Sequence, residues 1–470
     1  MLNRSYACAA LIICTSVAFA QEASTPSDTG GQTSGGGTAT MTPAAPANAT
    51  PIPITTGTSP GVEKKPAAAA GSDQGEGFAL PGGLGYAPLN FTPGQGRFDR
   101  KPLSFSTTVQ QGYDDNINAT SGSPLQAPVK GSLVTAASEG VDLLISQARL
   151  GLSLGANAGG QYYWDRSGNP LTPTGGLNLV FGYKLTPRAQ ISAIVNGLYT
   201  SQPTLSVVNG LTQSNSKGYL TASSKFDLLY RWAPRFSTDT FYSANGTYQQ
   251  SSELQGNNNL NQTFGQALRY SFTQLVTGVL EGRFSHIAYS NNASTILNSL
   301  QRDSDTFYVL TGADVTLTRR FSGSFRVGDS TRNYQAADQP STSSPYAESS
   351  LNYIVTRSSS LSLDARYGYD DSSIGSSASK SVRVGLSFTQ NFSAKLRGTL
   401  GANYTHIDGS QSGTLAGSTQ DVVDASLGLQ YALSKSLAVF GSYNRTQRTS
   451  ADPLQEYTKN VYYVGATYQY

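Results

Sequence analysis

Residues 394–406 read AKLRGTLGANYTH. Leu396, Gly398, Leu400, Ala402 and Tyr404 fall on one side, and Lys395, Arg397, Thr399, Gly401, Asn403 and Thr405 on the other. A helix would scatter these two sets around its surface; a strand separates them, because successive side chains point to opposite faces. The pattern recurs. Val382, Val384, Leu386 and Phe388 alternate with Arg383, Gly385 and Ser387, and Phe321, Gly323, Phe325 and Val327 with Ser322, Ser324 and Arg326. Leu361, Leu363, Ala365, Tyr367 and Tyr369 alternate with Asp364, Arg366 and Gly368. Each run predicts a two-faced strand of about 10–15 residues, against a usual strand length of about five or six.

The connections alternate in length. Thr186-Pro187-Arg188, Ala233-Pro234-Arg235, Thr318-Arg319-Arg320 and Leu433-Ser434-Lys435 are tight. The polar segments 202–217, 251–260, 290–302, 335–345, 371–379 and 407–418 are long. This rhythm predicts a chain of long antiparallel hairpins with 18 strands, within a range of 16–20, from about Leu103 to Tyr470. Only 13% of the residues are charged, yet mean hydropathy is −0.29, so Gly, Ser, Thr, Asn and Gln supply the polarity. A net charge of +3 over this length provides no basic block for nucleic acid.

The first hundred residues are of a different kind. Arg4, the apolar run Ala7–Val17 and Ala18-Phe19-Ala20 have the layout of a cleaved signal peptide over 1–20. Residues 21–100 are rich in Pro, Ala, Gly and Thr without hydrophobic period, which predicts a disordered periplasmic linker. The barrel domain is then 101–470. Both cysteines, Cys8 and Cys14, lie in the signal, so neither a disulfide framework nor a thiolate metal site is expected in the exported chain. No later stretch is apolar for the 18 or more residues that a helical membrane span requires.

Two-faced hairpins can bury the apolar face in a soluble core or turn it outward into lipid. Three features favour lipid. The polar face carries Arg149, Lys225, Arg231, Arg269, Arg283, Arg326, Arg366, Arg383, Lys395 and Arg397, with Asp142, Asp227, Asp239, Glu281, Asp314, Glu348, Asp364 and Asp424, and the apolar face carries almost no charge. Tyrosines such as Tyr113, Tyr199, Tyr248 and Tyr404 gather near strand ends on the apolar face, suiting a lipid–water boundary. Finally, VYYVGATYQY at 461–470 is an aromatic strand, which in a barrel pairs with the first strand and leaves no open edge.

Gly465, Tyr468 and Tyr470 have the spacing of the C-terminal assembly signal of outer-membrane barrels. With the signal peptide, the short basic turns and Tyr113-Asp114-Asp115-Asn116 at the first strand end, these residues resemble the outer-membrane β-barrel porins, in particular the second putative β-barrel porin family. The resemblance covers about residues 100–470. It implies a bacterial outer-membrane location, pore formation and, for some members, association with exopolysaccharide export.

The expected fold is therefore an all-β, transmembrane, up-and-down antiparallel barrel. Its expected function is passive diffusion of small hydrophilic solutes with weak charge selectivity leaning to anions, since 16–18 strands leave an aqueous bore. Arg326, Asp364, Arg366, Arg383, Lys395, Arg397 and Asp424 are expected to line the pore, with Arg383, Lys395 and Arg397 either forming a local basic patch or, the favoured reading, pairing across strands with Asp364 and Asp424. Lipid, lipopolysaccharide, the barrel-assembly machinery and small hydrophilic solutes are the expected partners; no nucleic acid, metal or cofactor is called for. A barrel serving polysaccharide export, or a structural role, is the alternative. An enzyme is disfavoured, because His286 is placed on the lipid face, His406 at a strand-to-loop junction, and no G-x-S-x-G elbow supports a hydrolase. Tyr113-Asp114-Asp115 and Tyr369-Asp370-Asp371 are read as depth markers, with tyrosine at the girdle and acids opening external loops.

Overall fold

The computed structural model describes residues 102–470 apart from 123–127, 167–169, 201–203, 209–210, 216–217, 250–257, 290–302, 319, 336–340, 371–378, 410–418 and 451–455. The signal peptide and linker expected over 1–100 lie outside the described residues.

The long strands begin with β1 (Leu103–Asp114), β2 (Ser132–Ser146), β3 (Leu150–Tyr163), β4 (Leu171–Lys184) and β5 (Ala189–Thr200). A short hairpin, β6 (Thr204–Val208) and β7 (Leu211–Asn215), interrupts them. They resume with β8 (Tyr219–Ala233), β9 (Phe236–Gln249), β10 (Asn259–Ser271), β11 (Val276–Tyr289), β12 (Ser304–Thr318) and β13 (Phe321–Tyr334). Then come β14 (Thr342–Thr356), β15 (Ser359–Asp370), β16 (Ser379–Asn391), β17 (Leu396–Gly409), β18 (Thr419–Ala432), β19 (Leu437–Ser450) and β20 (Tyr457–Gln469). Among the described residues no helix is long and apolar enough to cross a membrane.

All but β6 and β7 belong to one 18-stranded sheet in which each strand pairs antiparallel with both neighbours. The ring closes between β20 and β1, in register from Ser106↔Gln469 to Asp114↔Val461. Phe105 and Tyr470 add reciprocal backbone bonds of 3.1 and 3.0 Å below it. The expected 18-stranded barrel is thus realised. Closure has a physical reason: with no water in hydrocarbon, an open edge leaves backbone groups unsatisfied at several kcal/mol each.

Four of the tight connections share a chemical device that sequence reasoning missed. Thr186 Oγ1 accepts the amides of Arg188 and Ala189 at 3.2 and 2.9 Å. Thr273 does the same for Leu275 and Val276 at 3.1 and 3.0 Å, Ser393 for Lys395 and Leu396 at 3.2 and 3.0 Å, and Ser434 for Ser436 and Leu437 at 3.2 and 3.0 Å. A short hydroxyl side chain that takes two turn amides closes the hairpin without a following glycine. Ser434→Ala is expected to cost ~1 kcal/mol, the value of an exposed turn hydrogen bond. A urea midpoint in lipid vesicles reads that change; an unmoved midpoint would mean that water substitutes for the hydroxyl without loss.

The two faces differ as in a membrane barrel. Large apolar side chains point outward and are exposed, Val464 to 70% and Val309 to 67%. Charged side chains on the other face are buried, Glu281 to 5% and Arg326 to 5%. Tyr113 is exposed on the outer face, as expected of a girdle residue. Tyr369 is not: it is 5% exposed, its hydroxyl donates to the Ser343 carbonyl at 3.1 Å, and the Arg332 guanidinium lies 5.6 Å from its ring centre. Pairing of β14 with β15 stops at Ala347↔Tyr367, while β15 continues against β16 to Asp370↔Ser379, so Tyr369 stands at a strand end with only β16 paired beside it and reaches back to Ser343.

The inner wall and the first long loop as a candidate functional site

Which face looks into the barrel follows from reach. Arg283 on β11 contacts Glu348 on β14, with Nη1 and Nη2 at 3.1 and 2.5 Å from the two carboxylate oxygens. Three strand spacings separate these strands, about 14 Å along the wall. Side chains converge over that span only on a concave surface, so this face is the interior.

The contact belongs to a ladder. Arg269 binds Asp239 at 2.9 Å and also Asp314. Arg326 binds Asp314 at 2.6 Å and Glu281 at 3.3 Å. Glu281 in turn holds Arg283 at 2.5 Å, which forks onto Glu348. Four carboxylates and three guanidiniums thus join β9 through β14. Tyr346 finishes one end by donating to Glu348 Oε2 at 2.6 Å. Phe241 and Tyr346 floor the ladder, each with its ring centre 5.9 Å from the Arg283 guanidinium. Phe241 can lie flat only because its neighbour across β9–β10 is Gly265: a Cβ added there would collide with the ring.

Among the seven residues expected to line the pore, Arg326 is within this ladder. Arg366 and Arg383 face each other directly across β15 and β16. Asp364 lies opposite Ser350 and Gly385, and Asp424 opposite Asn403 and Thr446, whose hydroxyl donates to it at 2.7 Å. Arg397 sits near the short-turn end, opposite Asn391 and Gln430. Lys395 falls in the exposed turn between β16 and β17 rather than on a strand. Arg149 likewise lies in a turn, before β3. The main ion pairing therefore runs from β9 to β14, displaced from the β15–β18 sector where the sequence reading placed it. Gly465 occupies a close approach in the closure: a Cβ there would sit 2.6 Å from the Val109 carbonyl and 2.7 Å from the Phe440 ring. Tyr468 and Tyr470 are exposed on the outer face and stack at 5.9 Å.

Sequence reasoning missed Arg332, Arg448 and Lys459 and read Asp114 as opening an external loop; all four are buried on the inner side. Arg332 donates to Thr306 at 3.2 Å and Arg448 to Gln420 at 2.7 Å. Lys459 binds Asp114, which is fully buried, at 2.9 Å. This last pair anchors a second feature. After β1 the chain turns inward instead of leaving the barrel. Asp114 Oδ1 accepts the Asn116 amide at 3.0 Å, and Asn116 Nδ2 donates to the carbonyls of Thr120 and Thr458 at 2.8 and 3.0 Å. Asp115 takes the backbone and side-chain N–H of Asn460 at 2.7 and 2.6 Å. Ile117 then packs with Val134, Tyr163, Val461 and Tyr463, which come from β2, β3 and β20. Ala119 makes the sharp return at φ 49°. The loop covers the β20–β1 closure from inside. Beyond β3, Arg166 lies 4.7 Å over the Tyr163 ring, and burial lowers its pKa from the usual range.

The two histidines stand apart from this interior. His286 and His406 lie on the outward-facing set, each opposite an aspartate: Asp305 at 2.7 Å and Asp421 at 2.8 Å. Among the described residues, no group of three or more His, Cys, Asp and Glu forms a candidate metal site.

Residues 236–470, from the start of β9 onward, match the family model described as putative beta-barrel porin 2. The chain belongs to that family. Its porin-like outer-membrane barrel is a fold typical of transport channels rather than enzymes. No curated protein matches the chain. Solved structures similar in fold include the siderophore receptor PirA from Acinetobacter baumannii, at 8% identity and TM-score 0.41, covering 79% of this chain and 81% of that one. OccAB4 from Acinetobacter baumannii is 12% identical with TM-score 0.38, over 79% and 99% of the two chains. The outer-membrane protein opdK from Pseudomonas aeruginosa is 10% identical with TM-score 0.39, over 78% and 99%.

Proposed function

We propose that this chain is a passive outer-membrane pore for small hydrophilic solutes, with a weak preference for anions. The observation that carries this reading is a closed 18-stranded wall whose inner face is polar and charged. A wall of that circumference encloses an aqueous bore, whereas about eight strands are filled by their own side chains. Diffusion through such a bore needs no catalytic group; fixed charges on the wall bias the flux. Within the ladder the charges nearly cancel, while Arg366 and Arg383 oppose each other on the adjoining strands and tilt that sector towards anions.

The rest of the reading follows from compartment. A cleaved signal over 1–20 brings the chain to a Gram-negative periplasm, Gly465, Tyr468 and Tyr470 present it to the barrel-assembly machinery, and the exposed apolar band contacts lipid and, at its outer edge, lipopolysaccharide. Polysaccharide export is the weaker alternative. It needs rings presented to a sugar, and Phe241 and Tyr346 are 6% and 3% exposed beneath their arginines.

Purified protein in a planar bilayer is expected to give stepwise conductance. Under a KCl gradient its reversal potential should have the sign of weak anion preference, and Arg366→Gln with Arg383→Gln should move it toward zero. Absence of any conductance would sink the open-pore reading, and an unmoved potential would sink the assignment of selectivity to these two arginines.

A further inference from the structure

The two ends of the barrel differ in charge. Eight short turns lie at one end, joining β2 to β3, β4 to β5, β8 to β9, β10 to β11, β12 to β13, β14 to β15, β16 to β17 and β18 to β19. Seven of these turns hold lysine or arginine, and none holds aspartate or glutamate. The long connections at the other end hold eight acidic residues against four basic ones. The net charge of +3 therefore hides a positive rim and a negative one.

Arg149, Arg188 and Arg235 stand in the turns after β2, β4 and β8. Arg320, Arg357, Lys395 and Lys435 stand in those after β12, β14, β16 and β18. All seven are exposed, and no carboxylate among the described residues pairs with any of them. Successive turns are two strand spacings apart, about 10 Å along the wall. Exposed apolar side chains accompany the cations: Leu185, Phe392 and Leu433 lie in the same turns as Arg188, Lys395 and Lys435. Trp232 stands three residues before Arg235, edge-on to Tyr230 at 4.5 Å, its indole N–H donating to Thr238 at 3.1 Å. Apolar and aromatic groups with a polar edge sit at the boundary of the acyl chains, and cations just beyond them reach the phosphates.

We propose that the short-turn rim is a collar for anionic phospholipid headgroups, each turn cation meeting the phosphate of an acidic lipid in the leaflet at that end. Distribution favours a lipid over a protein partner. A docked protein covers one sector of a rim, whereas these cations run from the β2–β3 turn to the β18–β19 turn, and it is the leaflet that encircles a membrane barrel. A zwitterionic lipid offers less, because its own amine offsets its phosphate. The inference rests on the membrane placement of the barrel but not on the pore reading, so failed conductance leaves it standing.

Electron spin resonance tests it on the full chain refolded in phosphatidylcholine vesicles, with spin-labelled phosphatidylglycerol or phosphatidylcholine as the probe. The spectrum separates lipid held at the protein surface from bulk lipid. At low salt phosphatidylglycerol is expected at the surface about twofold over phosphatidylcholine, averaged over both leaflets. The preference should vanish at about 1 M NaCl, where charges are screened beyond about 3 Å. Replacing the seven cations by glutamine should abolish it, while Lys130→Gln, at the opposite end, should leave it intact. If the seven-fold variant gives no folded band on semi-native gels, the salt titration of the unaltered chain decides. Equal surface shares of the two lipids at low salt would overturn the proposal, as would a preference that survives high salt or the seven substitutions. So would salt-sensitive co-sedimentation with purified peptidoglycan by a chain without lipid preference, which would assign the rim to the cell wall.

Discussion

Glu348→Ala lowers the unfolding free energy of the barrel by about 3–5 kcal/mol, the cost of removing one partner from a buried ion pair. Arg283 and Glu348 are 8% and 11% exposed at the side chain, so water replaces little of what is lost. Arg283 would keep Glu281 at 2.5 Å but lose the two-point grip of Glu348, and Tyr346 would lose the acceptor of its hydroxyl. The measurement is urea unfolding from lipid vesicles, followed by tryptophan fluorescence. Replacing both partners, Arg283→Met with Glu348→Leu, is expected to cost less than Glu348→Ala alone, since no buried charge is then left without its partner. If Glu348→Ala moved stability by less than about 1 kcal/mol, the ladder would be wetted by the lumen and would behave as a surface network. The result therefore also reports on how dry this side of the bore is.

How much of this was legible beforehand depends on the range of the forces concerned. Strand number and closure were readable because an up-and-down barrel pairs neighbours in sequence, and the period-two code is local to each strand. Val382 to Phe388 declares its two faces without knowledge of any other strand. The ladder was only half readable. Alternation names Arg269, Arg283 and Glu348 as inward residues, but whether Arg283 crosses to β14 depends on curvature and rotamers, which no single strand encodes. Arg332, Arg448 and Lys459 were missed because they stand near the long-loop ends, where the apolar half of the alternation fades. The β6–β7 hairpin was read as polar loop, although Asn209-Gly210 between its arms is a strong short-range hairpin signal. The inward course of the first loop had no local signature at all, since Ile117 packs against residues of β2, β3 and β20.

That loop sets the second large effect. Lys459→Met is expected to destabilise the barrel by about 3 kcal/mol or more, because it removes the cation paired directly with the buried Asp114. Asp114 is 0% exposed and Lys459 is its cation at 2.9 Å, on the strand that closes the ring. Their union does more than pair charges. Asp114 Oδ1 also holds the Asn116 amide, and Asn116 ties the loop to Thr458 of β20 at 3.0 Å, so one carboxylate fixes both the closure and the entry into the loop. Asp115 repeats the connection to Asn460, across 345 residues of sequence. Loss of Lys459 should thus lower the temperature at which the folded band disappears on semi-native gels. It should also raise the variance of single-channel current as the loop leaves the wall. Asp114→Asn with Lys459→Met removes both charges and should recover most of the stability, while the current stays noisy because the asparagine carbonyl holds the Asn116 amide more weakly than a carboxylate. A quiet current in Lys459→Met, together with a lowered melting temperature, would separate the two roles: the pair would then serve closure alone, and the loop would be held by Ile117 and its apolar neighbours.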